Sequence, residues 1–179
     1  MSELKFAIIT GSTRDGRVSP QVSSWVQEQA SAFNTHKYDV LDVKSYGLPL
    51  LGESVDTKPL ERWNEDLAKY DGFIFVTGEY NHSIPASLKN ALDSAKDVWN
   101  NKPAGIVSYG SLGGARAAEH LRTILGELQM ADVRGHVALS MFTDFENWSV
   151  FKPQGMHKAN MEQQLTQLDA WGRALKTIR

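Results

Sequence analysis

The segment Thr10-Gly11-Ser12-Thr13-Arg14-Asp15-Gly16-Arg17 carries the residue types that hold a phosphate. Gly11 and Gly16 let a backbone turn tightly and bring its amides close to an anion. Ser12 and Thr13 add hydroxyl donors. Arg14 and Arg17 add cations whose charge-assisted bonds contribute about 1.5–3 kcal/mol each when partly desolvated. The apolar run Phe6-Ala7-Ile8-Ile9 before the segment reads as a first strand, and Val18 to Ala32 after it as a helix, whose positive end adds to the site. No Gly-Lys-Ser/Thr follows, so this is not a nucleotide P-loop, and Gly11 and Gly16 have the wrong spacing for the dinucleotide pattern Gly-x-Gly-x-x-Gly. The competing reading is a glycine-rich turn with solvated arginines.

Two further segments carry chemistry. In Gly78-Glu79-Tyr80-Asn81-His82-Ser83-Ile84-Pro85, amide and hydroxyl groups can bond the edge of a heteroaromatic ring, while Tyr80 offers a flat apolar wall. The plainer reading is a helix N-terminus with Ser83 near the cap. In Ser108-Tyr109-Gly110-Ser111-Leu112-Gly113-Gly114-Ala115-Arg116, three glycines mark a close approach of backbone to backbone or to ligand. A glycine turn before a helix is the alternative.

The elements that position these segments alternate regularly. Tyr38 to Val43 reads as a second strand and Leu60 to Tyr70 as a helix. Gly72 to Thr77 is a third strand, apolar without alternation, as a strand covered on both faces should be. A helix over Pro85 to Val98, a strand over Ala104 to Tyr109, and a helix over Gly114 to Met130 follow. A fifth strand, Val133 to Ser140, is broken early by Gly135. Met161, Leu165, Leu168, Trp171, Leu175 and Ile178 line a final amphipathic helix. Five strands separated by helices imply a doubly wound parallel sheet in three αβα layers, and five favours the flavodoxin-like order 2-1-3-4-5. Strands 1 and 3 are then neighbours where the winding reverses, with ligands beyond their carboxyl ends. The three segments share that edge.

Composition narrows the function classes. The 179 residues are 41% hydrophobic and 22% charged, which suits one domain over residues 1–179. A net charge of −2 with mixed signs argues against nucleic acid or an anionic membrane as partner. The chain has no cysteine, which removes disulfides, thiolate metal sites and dithiol redox chemistry. No apolar run approaches the roughly 18 residues that span a bilayer. Met1-Ser2-Glu3-Leu4-Lys5 enters the first strand at once, and the expectation is a soluble cytoplasmic protein. His36, His82, His120, His136 and His157 show no metal-ligand spacing, and only His82 lies in a ligand segment. Glu61 and Glu65 share a solvated helical face. Phe142, Phe145, Trp148 and Phe151 recur every three residues, as packing over the sheet or against a second subunit, or as a roof over a neighbouring subunit's ligand.

Gly11-Ser12-Thr13-Arg14-x-Gly16-Arg17, Glu79-Tyr80-Asn81-x-Ser83-Ile84-Pro85 and Leu88-Lys89-Asn90-Ala91-Leu92-Asp93 together resemble the NADPH-dependent FMN reductases, flavodoxin-like enzymes that include quinone, azo-dye and chromate reductases. The resemblance runs from about residue 4 to residue 125. It implies non-covalent FMN with Ser12, Arg14, Arg17, Val18 and Ser19 around the phosphate. It further implies Glu79, Tyr80, Asn81 and His82 along the isoalloxazine edge, and Ser108, Gly110 and Gly113 on its other side. Two electrons would pass from NADPH or NADH through FMN to a quinone, azo dye, metal oxyanion or free flavin. No residue is assigned as catalytic acid or base, since the cofactor supplies the chemistry. Arg116 is a candidate for the 2′-phosphate of NADPH. A homodimer or homotetramer is implied, with the helix after Pro85 at the interface. One position departs from the family pattern: Gly78 stands where a proline usually precedes Glu-Tyr-Asn, which frees φ and restores an amide donor. The competing functions are a flavodoxin-type electron carrier, which needs a more acidic face than a charge of −2 suggests, and a phosphometabolite sensor without redox activity.

Overall fold

The computed structural model describes residues 3–53, 56–95 and 97–179. Met1 and Ser2, and Lys96 in the expected Pro85–Val98 helix, therefore lie outside the described residues. β3 (Gly72–Gly78) is buried at all seven positions, because it lies inside the sheet with helices against both faces. Around it β1 (Lys5–Thr10), β2 (Lys37–Asp42), β4 (Pro103–Gly110) and β5 (Ala131–Ser140) complete a parallel sheet in the order β2-β1-β3-β4-β5. The expected flavodoxin-like order is the observed one.

On one face, α1 (Ser19–Phe33) and α6 (Met156–Leu175) bury Val22, Val26, Leu165 and Leu168 against Phe6, Ile8, Ile74 and Val107. On the other, α3 (Lys58–Leu67), α4 (Ala86–Asp93) and α5 (Ala115–Glu127) bury Trp63, Leu88 and Leu121 against Ile9, Phe73 and Phe75. The short helix α2 (Val43–Tyr46) continues directly from β2. A two-stranded hairpin, β6 (Phe145–Glu146) and β7 (Val150–Phe151), connects β5 to α6.

Three boundaries differ from the periodicity. The helix expected to reach Val98 ends at Asp93, where the Ser94 hydroxyl donates to the Asn90 carbonyl at 2.7 Å. A single 3₁₀ turn, Asp97–Trp99, then swings Trp99 into the core 4.8 Å from the Phe73 ring. The helix expected over Leu60–Tyr70 runs from Lys58 to Leu67, and Tyr70 reaches the core from beyond its end. The seam expected through Trp171 and Ile178 turns away at its end, leaving those side chains 47% and 62% exposed. Gly172 faces inward instead, because a Cβ there would lie 2.9 Å from Leu4 Cδ1.

Gly135 does not break β5 but seats a bulge. Ala104 pairs with Asp132 while Ile106 pairs with His136, so β5 carries extra residues between them. Gln164 of α6, wholly buried, closes the irregularity: its Nε2 donates to the Ile106 and Gly135 carbonyls, each at 2.8 Å. A Cβ on Gly105 or Gly135 would lie 2.8 Å from Gln164 atoms, so the two glycines and the glutamine form one unit that fixes β4 against β5. Gln164→Leu leaves two carbonyls buried without donors, at about 1–3 kcal/mol each. A loss of about 2–4 kcal/mol in urea unfolding is expected, and an unchanged midpoint would show that the glutamine is incidental.

Candidate active site

The first loop leaves β1 through Gly11, whose amide donates to the Val76 carbonyl of β3 at 3.0 Å. A Cβ at Gly11 would lie 3.0 Å from Leu88 Cδ2, and the Ser87 hydroxyl donates to the Gly11 carbonyl at 2.7 Å, so the loop is pressed onto the start of α4. Gly16 takes φ +66, which favours glycine. Arg17 then turns inward: its guanidinium meets both oxygens of Asp42 at 2.6 and 2.5 Å and donates to the Ser12 carbonyl at 2.5 Å. The bond to Asp42 raises the Arg17 pKa, so its charge is fixed and already compensated. Arg14 is exposed and donates from Nε to the Tyr80 hydroxyl at 2.8 Å.

This geometry leaves donors unspent. Among the described residues, the backbone amides from Ser12 to Val18 donate to no protein acceptor. The α1 N-terminus has no side-chain cap and no acidic residue in its first turn. Ser19 is wholly buried, and its Oγ has no well-formed hydrogen bond. An orphaned hydroxyl, free amides and an uncapped helix end together fit an anion. Ser12, 2% exposed, lines a cavity of about 370 Å³ with Thr13, Arg14, Tyr80, Pro85, Ala86 and Ser87. Val18 is buried in the core beneath the loop.

The second loop is a two-residue hairpin. Tyr80 and Ser83 exchange amide-to-carbonyl bonds at 2.9 Å each, and Asn81 and His82 take φ 47 and 70. Two positive φ values match a type I′ turn, held here without glycine. Asn81 and His82 are exposed at its tip, and Pro85 rather than Ser83 caps α4. The Glu79 side chain, 5% exposed, is paired with the Arg116 guanidinium at the start of α5. Arg116, whose side chain is 38% exposed, thus commits part of its guanidinium to Glu79.

In the third loop Gly113 and Gly114 take φ +67 and +71, and a Cβ on Gly114 would lie 2.8 Å from Ser108 Cβ. A Cβ on Gly110 would meet Glu79 Cβ at 3.1 Å, so that glycine lets the second and third loops touch. The Ser108 hydroxyl donates to the Gly113 carbonyl at 2.5 Å and lies 2.8 Å from His136 Nε2. With its proton committed to Gly113, Ser108 accepts from the histidine. That sense is wrong for a nucleophile and base, and Ser108 instead braces the loop from behind. Burial pushes the His136 pKa down, which keeps the ring neutral.

Of the residues that the sequence selects as cofactor contacts, the structure brings Ser12, Arg14 and Tyr80 to one cavity, while Arg17, Ser19, Glu79 and Ser108 are buried or half-buried outside its lining. Sequence reasoning missed Asp42, Ser87 and Tyr109. Asp42 pairs in register with Thr10 and Tyr109 with Gly78, so only the strand order could have shown them. Among the described residues no group of three or more histidines and carboxylates could hold a metal ion, and no helix is long and apolar enough to cross a membrane.

Comparison with known proteins gives a concordant result. The family model described as NADPH-dependent FMN reductase matches residues 4–144. An NAD(P)H-dependent FMN reductase of Schizosaccharomyces pombe is 38% identical over 135 residues, covering 70% of this chain and 68% of the relative. A 2-hydroxy-1,4-benzoquinone reductase of a Burkholderia species is 34% identical, with 71% of this chain and 73% of the relative covered. Among solved structures, a flavoenzyme NAD(P)H:(acceptor) oxidoreductase from Paracoccus denitrificans superposes with a TM-score of 0.74 at 18% identity, covering 97% of this chain and 98% of that one, which shows the shared fold. A donor-rich anion loop at the switch point and these sequence matches lead to one assignment: the chain belongs to the NADPH-dependent FMN reductase family, FMN-dependent oxidoreductases that draw on NAD(P)H.

Proposed function

We propose that this protein passes two electrons from NAD(P)H, through FMN held by the three loops, to a planar aromatic acceptor of the quinone class. FMN, when bound, supplies the two-electron chemistry. The chain's own residues bind and orient it. The amides of residues 12–18, Ser12, Ser19 and Arg14 take the phosphate, and Arg17 holds the loop in shape through Asp42. Val18 packs beneath. Tyr80 flanks the ligand, with Glu79, Asn81 and His82 along the ring edge and Ser108, Gly110 and Gly113 shaping the opposite wall. The reading has relatives in a quinone reductase of Pseudomonas putida, 32% identical with 69% of this chain and 70% of the relative covered, and in the benzoquinone reductase above.

The observation that carries the acceptor class is an aromatic pair at the rim. Phe142 and Trp148 are 64% and 58% exposed, yet stack edge-on at 5.0 Å. Trp148 sits at φ 60 and Asn147 at φ 49, a conformation costly for a bulky side chain. The hairpin is pinned to α1 by Gln21, which donates to the Ser149 carbonyl and accepts from the Phe151 amide, each at 2.9 Å. It adjoins the third loop, since the Met141 amide donates to the Gly110 carbonyl at 3.0 Å. Phe145 and Phe151 pack inward while Phe142 and Trp148 remain outside, on the segment that Met141 ties to the third loop. A hydrophobic planar acceptor gains from such a rim, whereas a small oxyanion does not.

Self-association through α4 belongs to the same proposal. Leu50 and Leu51 are 58% and 60% exposed on a segment tied to that helix by Asn90, which accepts from the Leu51 amide at 2.9 Å. NAD(P)H as donor supports a cytoplasmic setting. Leu50→Glu/Leu51→Glu should lower the mass measured by light scattering from that of a homodimer or homotetramer, and an unaltered mass would place the contact elsewhere.

Two further outcomes test the site. Arg17→Ala and Asp42→Ala should each weaken FMN binding by about tenfold, and the double variant should be little worse than either, since both act through one contact. Additive losses in a fluorescence titration would mean that Arg17 meets the phosphate directly. Phe142→Ala/Trp148→Ala should cut kcat/KM for 1,4-naphthoquinone by about tenfold, about 1.4 kcal/mol, with ferricyanide reduction and FMN content unchanged. Equal losses with both acceptors would remove the aromatic rim from the proposal.

A further inference from the structure

We infer that Tyr109 is a cofactor-positioning residue, admitted to the anion site by Gly78, whose hydroxyl donates to the phosphate of FMN. The inference rests on the FMN reading above. Tyr109, the penultimate residue of β4, lies on the α1 side of the sheet, 8% exposed, its ring 6.0 Å from that of Phe145. Across the sheet it stands in register with Gly78. A Cβ on Gly78 would lie 2.9 Å from Tyr109 Cε2 and Cζ and 3.1 Å from its hydroxyl oxygen. Real side chains do not tolerate that approach, so alanine, or the proline usual in the family pattern, would drive the ring out. The glycine at 78 and the tyrosine at 109 are two halves of one arrangement.

The hydroxyl end of this ring lies among donors. Arg14, Arg17, Ser19 and Tyr80 are the polar groups that act on it. Ser19 is near enough to bias its ionisation but is not in bonding geometry. Arg17 is spent on Asp42 and Ser12, and Arg14 bonds the Tyr80 oxygen. Among the described residues Tyr109 Oη has no acceptor beyond the neighbouring hydroxyls of Ser19 and Tyr80. A phenol with a buried ring normally finds a partner for its hydroxyl. Of the groups around it, Arg14 and the free amides of residues 12–18 can only donate, and a dianionic phosphate is an acceptor that satisfies them together with the Tyr109 hydroxyl. Burial pushes the Tyr109 pKa up to about 12, so the hydroxyl stays a donor across the physiological range.

Two variants and two ligands test this. Tyr109→Phe keeps the ring over Gly78 and removes only the donor. FMN should bind about tenfold more weakly to it by fluorescence titration, while riboflavin, which lacks the phosphate, should bind as it does to the unaltered protein. Gly78→Ala should weaken FMN binding in the unaltered background and add nothing in a Tyr109→Ala background, since the ring it displaces is already gone. Circular dichroism checks that each variant is folded. Unchanged FMN affinity in Tyr109→Phe, or equal losses for FMN and riboflavin, would overturn the phosphate contact. Additive losses in the Gly78/Tyr109 pair would overturn their coupling. An unaltered protein that binds neither flavin would instead refute the FMN reading itself.

Discussion

The bidentate contact between Arg17 and Asp42 is the interaction on which the ligand edge depends. Its position explains more than its energy does. Arg17 reaches Asp42 at the end of β2 and, with the same guanidinium, the Ser12 carbonyl. The Ser12 carbonyl is therefore drawn inward, and among the described residues the amides from Thr13 to Val18 have no acceptor within the protein. The two side chains are only 13% and 30% exposed, so losing either partner would leave a poorly hydrated charge on the other. This pairing also changes the electrostatics of the site. Two arginines in one loop suggest a strongly cationic pocket, but one is neutralised by its own protein. In the proposed site directed amides and the positive end of α1 would carry most of the anion recognition, with Arg14 as the exposed charge.

The three loops are held together by contacts that exclude side chains as much as by bonds. Gly11 is pressed between Leu88 and the Val76 carbonyl, and the Ser87 hydroxyl closes the same junction from α4. Gly110 lets Glu79 approach the third loop, and Arg116 then locks Glu79 to the start of α5. Ser108 and His136 brace the glycine turn from below. Each loop thus depends on a neighbour for its shape. A substitution that adds one methyl group at this edge acts on two loops at once.

Much of this was legible in the sequence, for physical reasons that differ by element. β3 announced itself because a strand covered on both faces has no polar side to show. The switch-point loops were legible because their glycines, hydroxyls and arginines interrupt the apolar periodicity of the elements on either side. What stayed hidden depends on long-range partners. Trp171 fits the helical seam by spacing, yet the helix approaches Leu4 and Phe6 too closely at that end for anything but Gly172. The expected Pro85–Val98 helix stops at Asp93, and Trp99, just beyond the expected end, packs into the core beside Phe73. Arg17 looked like a phosphate ligand because Asp42 lies 25 residues away, on a strand whose adjacency only the sheet reveals.

The hairpin after β5 shows how such an edge can present strained, exposed aromatics without losing order. Asp144 is its anchor: one carboxylate oxygen accepts from the Ser140 amide at 2.8 Å and the other from the Gln154 amide at 2.8 Å, with His157 Nε2 3.0 Å from that second oxygen. Its own carbonyl accepts from the Lys152 amide at 2.8 Å, so both ends of the segment converge on one residue. With the ends fixed, the positive φ of Asn147 and Trp148 is imposed by the surroundings rather than chosen locally. The edge then has two chemically distinct ends. Around the first loop stand donors without acceptors, which suits a phosphate. Beside the third stand apolar rings without cover, which suits a flat hydrophobic molecule. A ligand charged at one end and aromatic at the other has one favourable orientation between them, and that polarity sets its direction before any single contact is made.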